Sequence, residues 1–426
     1  MVFRNERNLY RRKCNATGKE IISIFSTDKP FTVYDQSYWW GDAWDPLSYG
    51  REYDFSKPFF LQFRELMERV PLISLLNSNS VNSEWCNHAT QNRNCYLCFG
   101  TVESENVSYA THSLTNKESL DLYVCEKNEL SHFNTFCERC YKTFFSIRST
   151  DCRNSVFLMD CQNCSDCLGC VNLRNRQYCI FNEQFSKEEY EKRIREMDLG
   201  SYLLLEGLQE RFKSLSLHFP RRFAYISQRA LNATGDNIIG DAKHCSWCFD
   251  CLGSFENCKY IMWGGHGNLR DSYDGFGSGD QSELVYQDNG SGWGSRFLFT
   301  AVIWGGHDVR YSYNCHESKY LFGCIGLRNK QYCILNKQYS KEEYETMLPK
   351  IIAHMNAEPY VDKKGRIYTY GEYFPIELAP FAYNESVAQE YFPLTNEESL
   401  NKGYSWKEAE ERKYTITITA GKLHDK

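Results

Sequence analysis

A short repeat of aromatic and β-branched segments runs through this 426-residue chain. Its units begin at NCYLCF (94), NVSYAT (106), SLDLYV (119), SHFNTF (131), KTFFSI (142), NSVFLM (154), DCLGCV (166) and QYCIFN (177). Polar, turn-forming residues follow each unit, which is the pattern of a strand and a turn. A unit of about 12 residues cannot bury a core alone, and stacking such units makes a β-solenoid.

The pattern returns between residues 237 and 336, and the two arrays match each other at their ends. CVNLRNRQYCIFNEQFSKEEYEKRI from 170 aligns with CIGLRNKQYCILNKQYSKEEYETML from 324 at a constant offset. The chain is therefore internally duplicated. The sequence predicts a mainly β fold, a right-handed β-solenoid (β-helix) in two duplicated arrays with helical caps and a small ribbon-like N-terminal unit.

The size of one coil is open at this point. Each 12-residue unit makes a narrow coil, or two units make a wider coil of about 24 residues. Aromatic side chains at inward positions need a wide interior, so the wider coil is favoured. Each array then contributes about four coils, with strands about 4.8 Å apart.

Five segments follow from this pattern. They are residues 1–80, a degenerate zinc-ribbon-like unit with a helix near 58–69; 81–182, the first array; 183–230, a helical insert or cap; 231–336, the second array; and 337–426, a helix and C-terminal cap. Ser186 and Ser340 each precede Lys-Glu-Glu and are predicted helix N-caps. A helix at the end of each array protects an open β-edge.

Composition restricts the class of protein. The chain shows no apolar run of signal-peptide length at its start and no stretch near the roughly 18 to 20 apolar residues of a membrane span. We therefore expect a cytoplasmic protein without membrane contact. The formal net charge of −6 argues against a strongly basic nucleic-acid binder. The 20 cysteines are then expected to be reduced.

Four motifs resemble a protein family. They are RNERNLYRRKC (4–14), WWGDAWDPLSYGREYDFSKPFF (39–60), GLRNKQYCILNKQYSKEEYE (326–345) and PFAYNESVAQEYFPLT (380–395). The resemblance is to an uncharacterised family of candidate-phyla bacteria whose members couple zinc-ribbon modules to a cysteine-rich repeat region. It covers nearly the whole chain and implies no activity.

The ribbon positions depart from that family. Its ribbon has two Cys-x-x-Cys pairs, and the matching positions here are Cys14, Thr17, Asp35 and Tyr38. Structural zinc takes four Cys or His ligands. The resemblance therefore implies that the ribbon has lost its zinc or that the chain is a divergent member.

The densest cysteine run is CQNCSDCLGC, which contains Cys161, Cys164, Cys167 and Cys170. This spacing is similar to that of iron–sulfur and zinc ligands. A repeat that places a small residue at one corner of each coil gives the same spacing, and free cysteine behaves as a small buried residue. We expect no cofactor, with zinc or an iron–sulfur cluster at these four cysteines as the alternative.

The motif WGGH occurs twice, at Trp263–His266 and Trp304–His307, around a segment rich in Gly and Asp. A catalytic site on this face would use His266 and His307 with Asp274 and Asp308. Trp263 and Trp304 are the matching ligand-binding candidates. Turn chemistry explains the same residues without a site.

The WWGDAW stretch contributes Trp39, Trp40 and Trp44, which are typical of a recognition surface. The favoured interpretation is that they dock the N-terminal unit on the solenoid.

Three functional hypotheses follow. The leading one is a non-catalytic binding or scaffold solenoid for a protein or nucleic-acid partner, which predicts an exposed aromatic or charged stripe along several coils. The second is an enzyme on a carbohydrate or other polar substrate, which predicts a cleft near residues 263–308 and a histidine within about 3 Å of an acid. The third is a zinc or iron–sulfur protein. Oligomeric state stays open.

Overall fold

The computed structural model describes residues 1–264, 267–409 and 417–419. The chain divides into two compact units, Asn77–Phe223 and Met1–Leu76 with Ala224–Lys407. The fold is mainly β, with a β-solenoid of about 21 turns in all and a few helices. Within the described ranges, no helix is both long and apolar enough to cross a membrane.

The N-terminal segment is a β-hairpin followed by short helices. Its elements are β1 (Tyr10–Lys13), β2 (Glu20–Ser23), β3 (Val33–Tyr34), α1 (Gln36–Trp40), a 3-10 helix (Pro46–Tyr49), α2 (Phe59–Met67) and β4 (Leu72–Ile73). Strands β1 and β2 pair antiparallel, and β3 pairs with β4. The helix expected near 58–69 is confirmed by α2.

Hydrogen bonds connect Cys14, Thr17, Asp35 and Tyr38. The backbone N–H of Asp35 donates to Sγ of Cys14 at 3.3 Å, and Thr17 Oγ1 donates to the Asp35 carboxylate at 3.5 Å. The same carboxylate accepts the N–H of Tyr38 and caps α1. These four residues are thus held together by hydrogen bonds to one another.

The first array is a parallel stack. Its strands are β5 (Asn77–Ser78), β6 (Ala89–Thr90), β7 (Glu105–Thr111), β8 (Lys117–Tyr123), β9 (His132–Thr135), β10 (Tyr141–Phe144), β11 (Arg153–Met159), β12 (Ser165–Val171), β13 (Gln177–Ile180) and β14 (Glu183–Gln184). Residues pair with residues 12 positions later, as in Leu120 with His132, His132 with Phe144 and Cys167 with Cys179.

One coil therefore has about 12 residues, and the expectation of a wide coil of about 24 residues with four coils per array is wrong. That expectation placed the aromatic rings inside. In the structure the inward positions of the first array hold small residues such as Cys125, Asn128 and Ser131, whereas Phe133 is 50% exposed.

Each coil has four sides of three residues. Cys125 points inward, Glu126 pairs with the next coil at Glu138, and Lys127 has a φ of 54°. The left-handed conformation recurs every third residue and turns the chain at each corner. It costs an L-residue about 1 kcal/mol or more, and Asn and Asp tolerate it best. Backbone hydrogen bonds to both neighbouring coils offset this cost, as from Lys127 to the carbonyl of Leu114.

Small polar residues line the interior because they bond to the next coil. Asn128 donates to the carbonyl of Cys137 at 3.1 Å and accepts the N–H of Cys140 at 2.8 Å. Ser131 Oγ accepts from Thr143 N at 3.3 Å, and Cys125 Sγ donates to the carbonyl of Asn134 at 3.3 Å. The spacing of three between cysteines is therefore the spacing of inward positions.

Two helices follow the first array, α3 (Lys187–Glu196) and α4 (Tyr202–Ser216). Ser186 caps α3 through the N–H of Glu189, as predicted. Helix α3 contacts β13, and α4 contacts β11 and β12. The two helices therefore lie on the last coils of the array.

The second array has longer coils at its start. Its strands are β15 (Gly235–Ile238), β16 (Ala242–Lys243), β17 (Cys248–Cys251), β18 (Ser254–Glu256), β19 (Lys259–Met262), β20 (Asn268–Arg270), β21 (Tyr273–Phe276), β22 (Ser282–Asn289), β23 (Gly292–Arg310), β24 (Tyr313–Phe322), β25 (Gln331–Ile334) and β26 (Lys337–Gln338). Gly235 pairs with Cys248 and Lys259 with Tyr273, so both of these coils are longer than those of the first array. From the pairing of Glu283 with Ser295 onward, the period of the first array returns.

The extra residues fall at one corner. Consecutive inward residues are normally three apart, but Ala242 follows Ile238, Phe255 follows Cys251 and Ser282 follows Ser278 by four. That corner is widened in the early coils and regular from Ser291 onward. It is the corner beside the groove described below.

The C-terminal segment contains α5 (Lys341–Ala357), β27 (Tyr360–Val361), β28 (Ile367–Tyr368), 3-10 helices at Ile376–Leu378 and Tyr383–Glu385, α6 (Ala388–Tyr391) and α7 (Asn396–Asn401). Ser340 and Glu343 form a capping box on α5, which contacts β25. The duplication extends to packing, since the rings of Tyr178 and Tyr190 and those of Tyr332 and Tyr344 are both 5.8 Å apart. Most of the last part of the expected C-terminal cap, 410–416 and 420–426, lies outside the described residues.

Candidate functional site

An exposed aromatic stripe follows one side of the first array. It occupies two adjacent positions of the coil, with Tyr96 and Leu120 at one and Tyr109, Phe133, Phe145 and Phe157 at the next. Tyr96 is 43% exposed, Tyr109 51%, Leu120 39% and Phe133 50%. Rings on successive coils stack, with centroids 5.3 Å apart for Phe133 and Phe145. Asp121 interrupts the column between Tyr109 and Phe133, but Leu120 beside it is exposed, and clustered apolar side chains of this kind mark interaction sites.

Helix α4 covers the end of the aromatic stripe. Phe212 of α4 lies 5.8 Å from Phe157, which is only 2% exposed. The guanidinium of Arg211 lies 3.7 Å from the ring centroid of Phe181, at the same corner of the last coil. Leu208 is buried in the same cluster. The stripe is thus occupied by an amphipathic helix at one end and uncovered at the other.

Charges beside the aromatic stripe balance each other. Arg93 lies 3.6 Å from Glu105 on the next coil, and His132 lies 3.3 Å from Asp121. A phosphate backbone requires an excess of cations. Two basic residues near the N-terminus are also paired with acids, because Arg4 is buried against Glu6 and Arg7 lies 2.5 Å from Glu390. These charges favour a protein partner over a nucleic acid.

A polar groove of about 540 Å³ lies on the second array. Its lining includes Asn268, Arg270, Gln281, Glu283, Trp293 and Ser295. Arg270 pairs with Glu283, and Glu283 with Ser295, so these three side chains lie on successive coils of one column. The groove lies within residues 263–308, where the enzyme hypothesis places a cleft.

His307 extends this column by one coil. Its Nδ1 lies 2.6 Å from Ser295 Oγ, and its Nε2 lies 3.2 Å from the Asp308 carboxylate. Arg296 donates twice to Asp308, at 2.8 Å each, and also contacts His307 Nε2. Because a guanidinium only donates, His307 Nε2 accepts from Arg296, and the proton of the ring lies on Nδ1, which donates to Ser295 Oγ. Transfer of the Ser295 proton to Nδ1 requires the other tautomer, in which Nε2 donates to Asp308 and the three residues act as a nucleophile, a base and an orienting acid.

The other candidates of this face are placed elsewhere. Asp274 follows Tyr273, which pairs with Tyr286, whereas Asp308 follows His307 in the Ser295 column. Asp274 therefore lies on a different side of the coil, and burial raises the pKa of its carboxyl. His266 lies outside the described residues. The structure brings His307 and Asp308 together but does not bring Asp274 to them.

The tryptophans of the WGGH copies pack inside the unit. Trp263 is 1% exposed, with its ring 5.1 Å from Phe276 and 5.9 Å from Tyr391. Trp304 lies 5.3 Å from His316 and packs against a small buried cluster. Trp293, between the two copies, is 47% exposed and faces the groove.

The N-terminal tryptophans lie on the second array. Trp39 is fully buried, 5.7 Å from His316. Arg328 donates to the carbonyls of Trp39 at 2.5 Å and Gly41 at 3.2 Å, and its guanidinium lies 5.2 Å from the rings of Trp39 and Trp44. Trp40, 41% exposed, packs on His316 at 4.8 Å. These contacts agree with the docking interpretation.

Surrounded by these rings, His316 is 2% exposed. Burial, with a further contribution from the charge of Arg328, lowers the pKa of His316 to about 3. Its Nε2 lies 2.9 Å from Asn314 Oδ1. His316 is therefore neutral at physiological pH.

The four metal-candidate cysteines are consecutive inward residues of one coil. Cys161, Cys164, Cys167 and Cys170 are at most 1% exposed. Hydrogen bonds between neighbouring thiols raise the pKa of Cys161 and Cys167 and lower that of Cys164 and Cys170. Each Sγ also lies within hydrogen-bond distance of a carbonyl. Over the described part of the chain, no group of three or more His, Cys, Asp or Glu side chains is arranged to hold a metal ion.

Sequence reasoning expected a stripe along several coils but named none of its residues, and it missed Ser295 and the groove residues Arg270, Glu283 and Trp293. The stripe had a signal, because positions 133, 145, 157 and 181 all hold Phe in steps of 12 or 24. No regular spacing in the sequence marked the column of Arg270, Glu283, Ser295 and His307. Its residues are 13 positions apart in the first step and 12 in the later ones.

No protein-family model matches this chain, and no curated protein matches it. The resemblance to the ribbon-and-repeat family therefore stays a prediction. The aromatic stripe and the groove are the two surface features that bear on function.

Proposed function

We propose that the protein is a non-catalytic binding solenoid whose aromatic stripe receives an amphipathic helix of a protein partner. The observation that carries this proposal is the position of α4 on the stripe. Phe212 of α4 contacts Phe157, whereas Tyr96, Tyr109, Leu120 and Phe133 on earlier coils stay exposed.

The chemistry of α4 defines the partner. Leu208, Phe212 and Ser216 form its buried face at a spacing of four residues, and Arg211 stands over an aromatic ring. Helices that dock in apolar grooves use this spacing. The partner helix therefore presents Leu or Phe at i and i+4 with a cation beside them.

The test uses a labelled peptide of residues 201–219 and the full-length protein, with binding followed by fluorescence anisotropy. We expect saturable binding with a Kd in the micromolar range. Phe133→Ser weakens binding at least tenfold, because Phe133 lies outside the region that α4 already covers. Tyr141→Ser is the matched control, since Tyr141 is an exposed aromatic residue on another side of the coil. Equal binding by wild type and Phe133→Ser contradicts the proposal.

The second candidate is an ester hydrolase at the groove, and the 2.6 Å contact between Ser295 Oγ and His307 Nδ1 favours it. In this reaction Ser295 Oγ attacks the ester carbonyl while its proton passes to His307. The proton then leaves with the alcohol, and water hydrolyses the acyl-serine to the carboxylic acid and free Ser295.

Hydrolysis of p-nitrophenyl acetate tests the second candidate. Ser295→Ala and His307→Ala are each expected to lower kcat/KM about 100-fold or more. Asp274→Asn, on a different side of the coil, keeps the wild-type rate. Full activity in Ser295→Ala excludes Ser295 as the nucleophile.

A further inference from the structure

The groove on the second array has the chemistry of a sugar-binding site. Trp293 is 47% exposed at its edge and offers a rigid apolar ring. Asn268, Gln281, Arg270 and Glu283 surround it with planar polar groups. A pyranose ring has an apolar face of C–H groups and a rim of hydroxyls, so it matches both parts of this lining.

The charges of the groove select a neutral ligand. Arg270 and Glu283 are register partners on adjacent strands, so the groove holds one cation and one anion at neighbouring backbone positions. Arg296 and Asp308, next to Ser295, are also paired. The planar groups of Arg and Glu make two parallel hydrogen bonds, which suits adjacent hydroxyls on one sugar.

The column continues along the solenoid. Glu256, Arg270, Glu283 and Ser295 occupy successive coils, with one polar side chain for each strand spacing of about 4.8 Å. A linear chain of sugars lying along this column meets a new polar group at each coil. An oligosaccharide therefore gains more contacts than a single sugar.

We propose that this groove binds a neutral oligosaccharide, with Trp293 stacking on a sugar ring and Arg270 and Glu283 bonding to its hydroxyls. The inference names a ligand class for the groove of the second candidate function. It is independent of helix binding by the aromatic stripe, because its residues belong to the other compact unit.

The experiment is isothermal titration calorimetry of the full-length protein with four hexasaccharides. Three are neutral (cellohexaose, maltohexaose and chitohexaose), and hexagalacturonate is acidic. We expect at least one neutral sugar to bind with a Kd in the micromolar to millimolar range. The corresponding monosaccharide binds at least tenfold more weakly.

Variants locate the binding. Trp293→Ala raises Kd at least tenfold, and Arg270→Gln with Glu283→Gln raises it further. Trp247→Ala is the matched control, because Trp247 is 59% exposed and lies outside the groove lining. Circular dichroism of each variant verifies that the fold is retained.

Two results overturn the inference: binding of none of the neutral sugars, or binding that is unchanged in Trp293→Ala. Preference for hexagalacturonate over every neutral sugar also overturns it. His307→Ala separates this inference from ester hydrolysis: His307 lies outside the groove lining, so that variant keeps sugar binding and loses only turnover. Phe133→Ser separates it from helix binding, since that variant binds sugar like wild type.

Discussion

The two arrays share one coil design but differ in how regular it is. In the first array, the paired strands from β7 to β13 keep one constant offset, and small side chains fill the interior. In the second array the first coils are longer, and Phe255 and Phe297 point inward. A constant offset keeps equivalent side chains in straight columns, and two adjacent columns together form the aromatic stripe. Added residues widen one corner, and beside that corner lies the groove.

The interiors differ in how they gain stability. In the first array Ser, Asn and Cys bond to the backbone of the next coil, for example Asn128 to Cys137. In the second array larger apolar side chains such as Val285, Phe297 and Ile303 are buried together. Hydrogen bonds to the backbone tolerate only small side chains, whereas apolar burial scales with area. The same change of residue should therefore have different costs in the two arrays.

The largest effect is expected from Phe297→Ala in the second array. Removing a fully buried ring costs about 3 to 5 kcal/mol of unfolding free energy. Phe133→Ala in the first array is the control, because half of that side chain is exposed and its loss costs at most about 1 kcal/mol. Urea unfolding measures the loss of unfolding free energy, and hydrogen exchange shows in which array the loss occurs. Equal losses would remove the distinction between the interiors.

The next effect depends on pH and comes from His316. The folded pKa of about 3 lies below the ordinary value of 6.5, so the unfolded chain binds the proton first. The contribution of neutral His316 is fully present above about pH 6.5 and is lost as pH falls toward 3. At pH 4.5 the loss is about 2 to 3 kcal/mol, since each unit is worth about 1.4 kcal/mol.

The variant His316→Gln tests this effect. Its stability should fall less than that of wild type between pH 7 and pH 4.5, as measured by urea unfolding at each pH. His244→Gln is the matched control, because the His244 side chain is exposed to solvent and its replacement should change the pH profile little. Parallel profiles for wild type and His316→Gln contradict the expected neutral histidine.

The sequence predicted the class of fold because strand-and-turn patterns and duplication are local features. It also placed the helices after Ser186 and Ser340, since capping depends on neighbouring residues. The coil width could not be read, because inward and outward aromatic residues have the same spacing. Only the left-handed residue at every third position, such as Lys127 or Phe133, decides that the coil has four short sides.

Only the local part of the candidate site was predictable from the sequence. His307 and Asp308 are neighbours in sequence, so they are close to each other in any fold. Ser295 is one coil away from His307, and Asp274 lies on another side, which only the strand register shows. The role of the N-terminal tryptophans was expected from their aromatic density, but Arg328 as their partner required the three-dimensional contact.

Arg328 and Arg174 occupy equivalent positions in the two arrays but make different contacts. Arg328 donates to three carbonyls of the N-terminal segment and lies between two tryptophan rings. Arg174 bonds to the carbonyls of Asp160 and Leu173 within its own array. Arg328→Gln should cost about 2 kcal/mol and Arg174→Gln about 1 kcal/mol or less, measured by thermal unfolding. A larger loss for Arg174→Gln would show that docking of the N-terminal segment does not depend on Arg328.

The smallest effect is expected from Cys152→Ser in the first array. Cys152 Sγ lies 3.4 Å from the carbonyl of Thr150 and 3.7 Å from that of Cys161. Ser149 and Thr143 already make the same bonds with hydroxyls, to the carbonyls of Ile147 and Cys152. A serine at 152 keeps these donors, so the loss in unfolding free energy is about 1 kcal/mol or less.

Cys258→Ser in the second array is the matched variant for this prediction. Cys258 Sγ lies 3.3 Å from the carbonyl of Glu256 and 3.4 Å from that of Leu269, so a serine there also keeps its acceptors, and the loss is again about 1 kcal/mol or less. Elemental analysis of the wild type purified without oxygen belongs to the same experiment. If Cys152 were a metal ligand, Cys152→Ser would lower the metal content and cost more than Cys258→Ser, because a lost ligand removes binding free energy that also stabilises the fold. Similar losses for the two variants therefore indicate hydrogen-bonded thiols, and a larger loss for Cys152→Ser indicates a metal site.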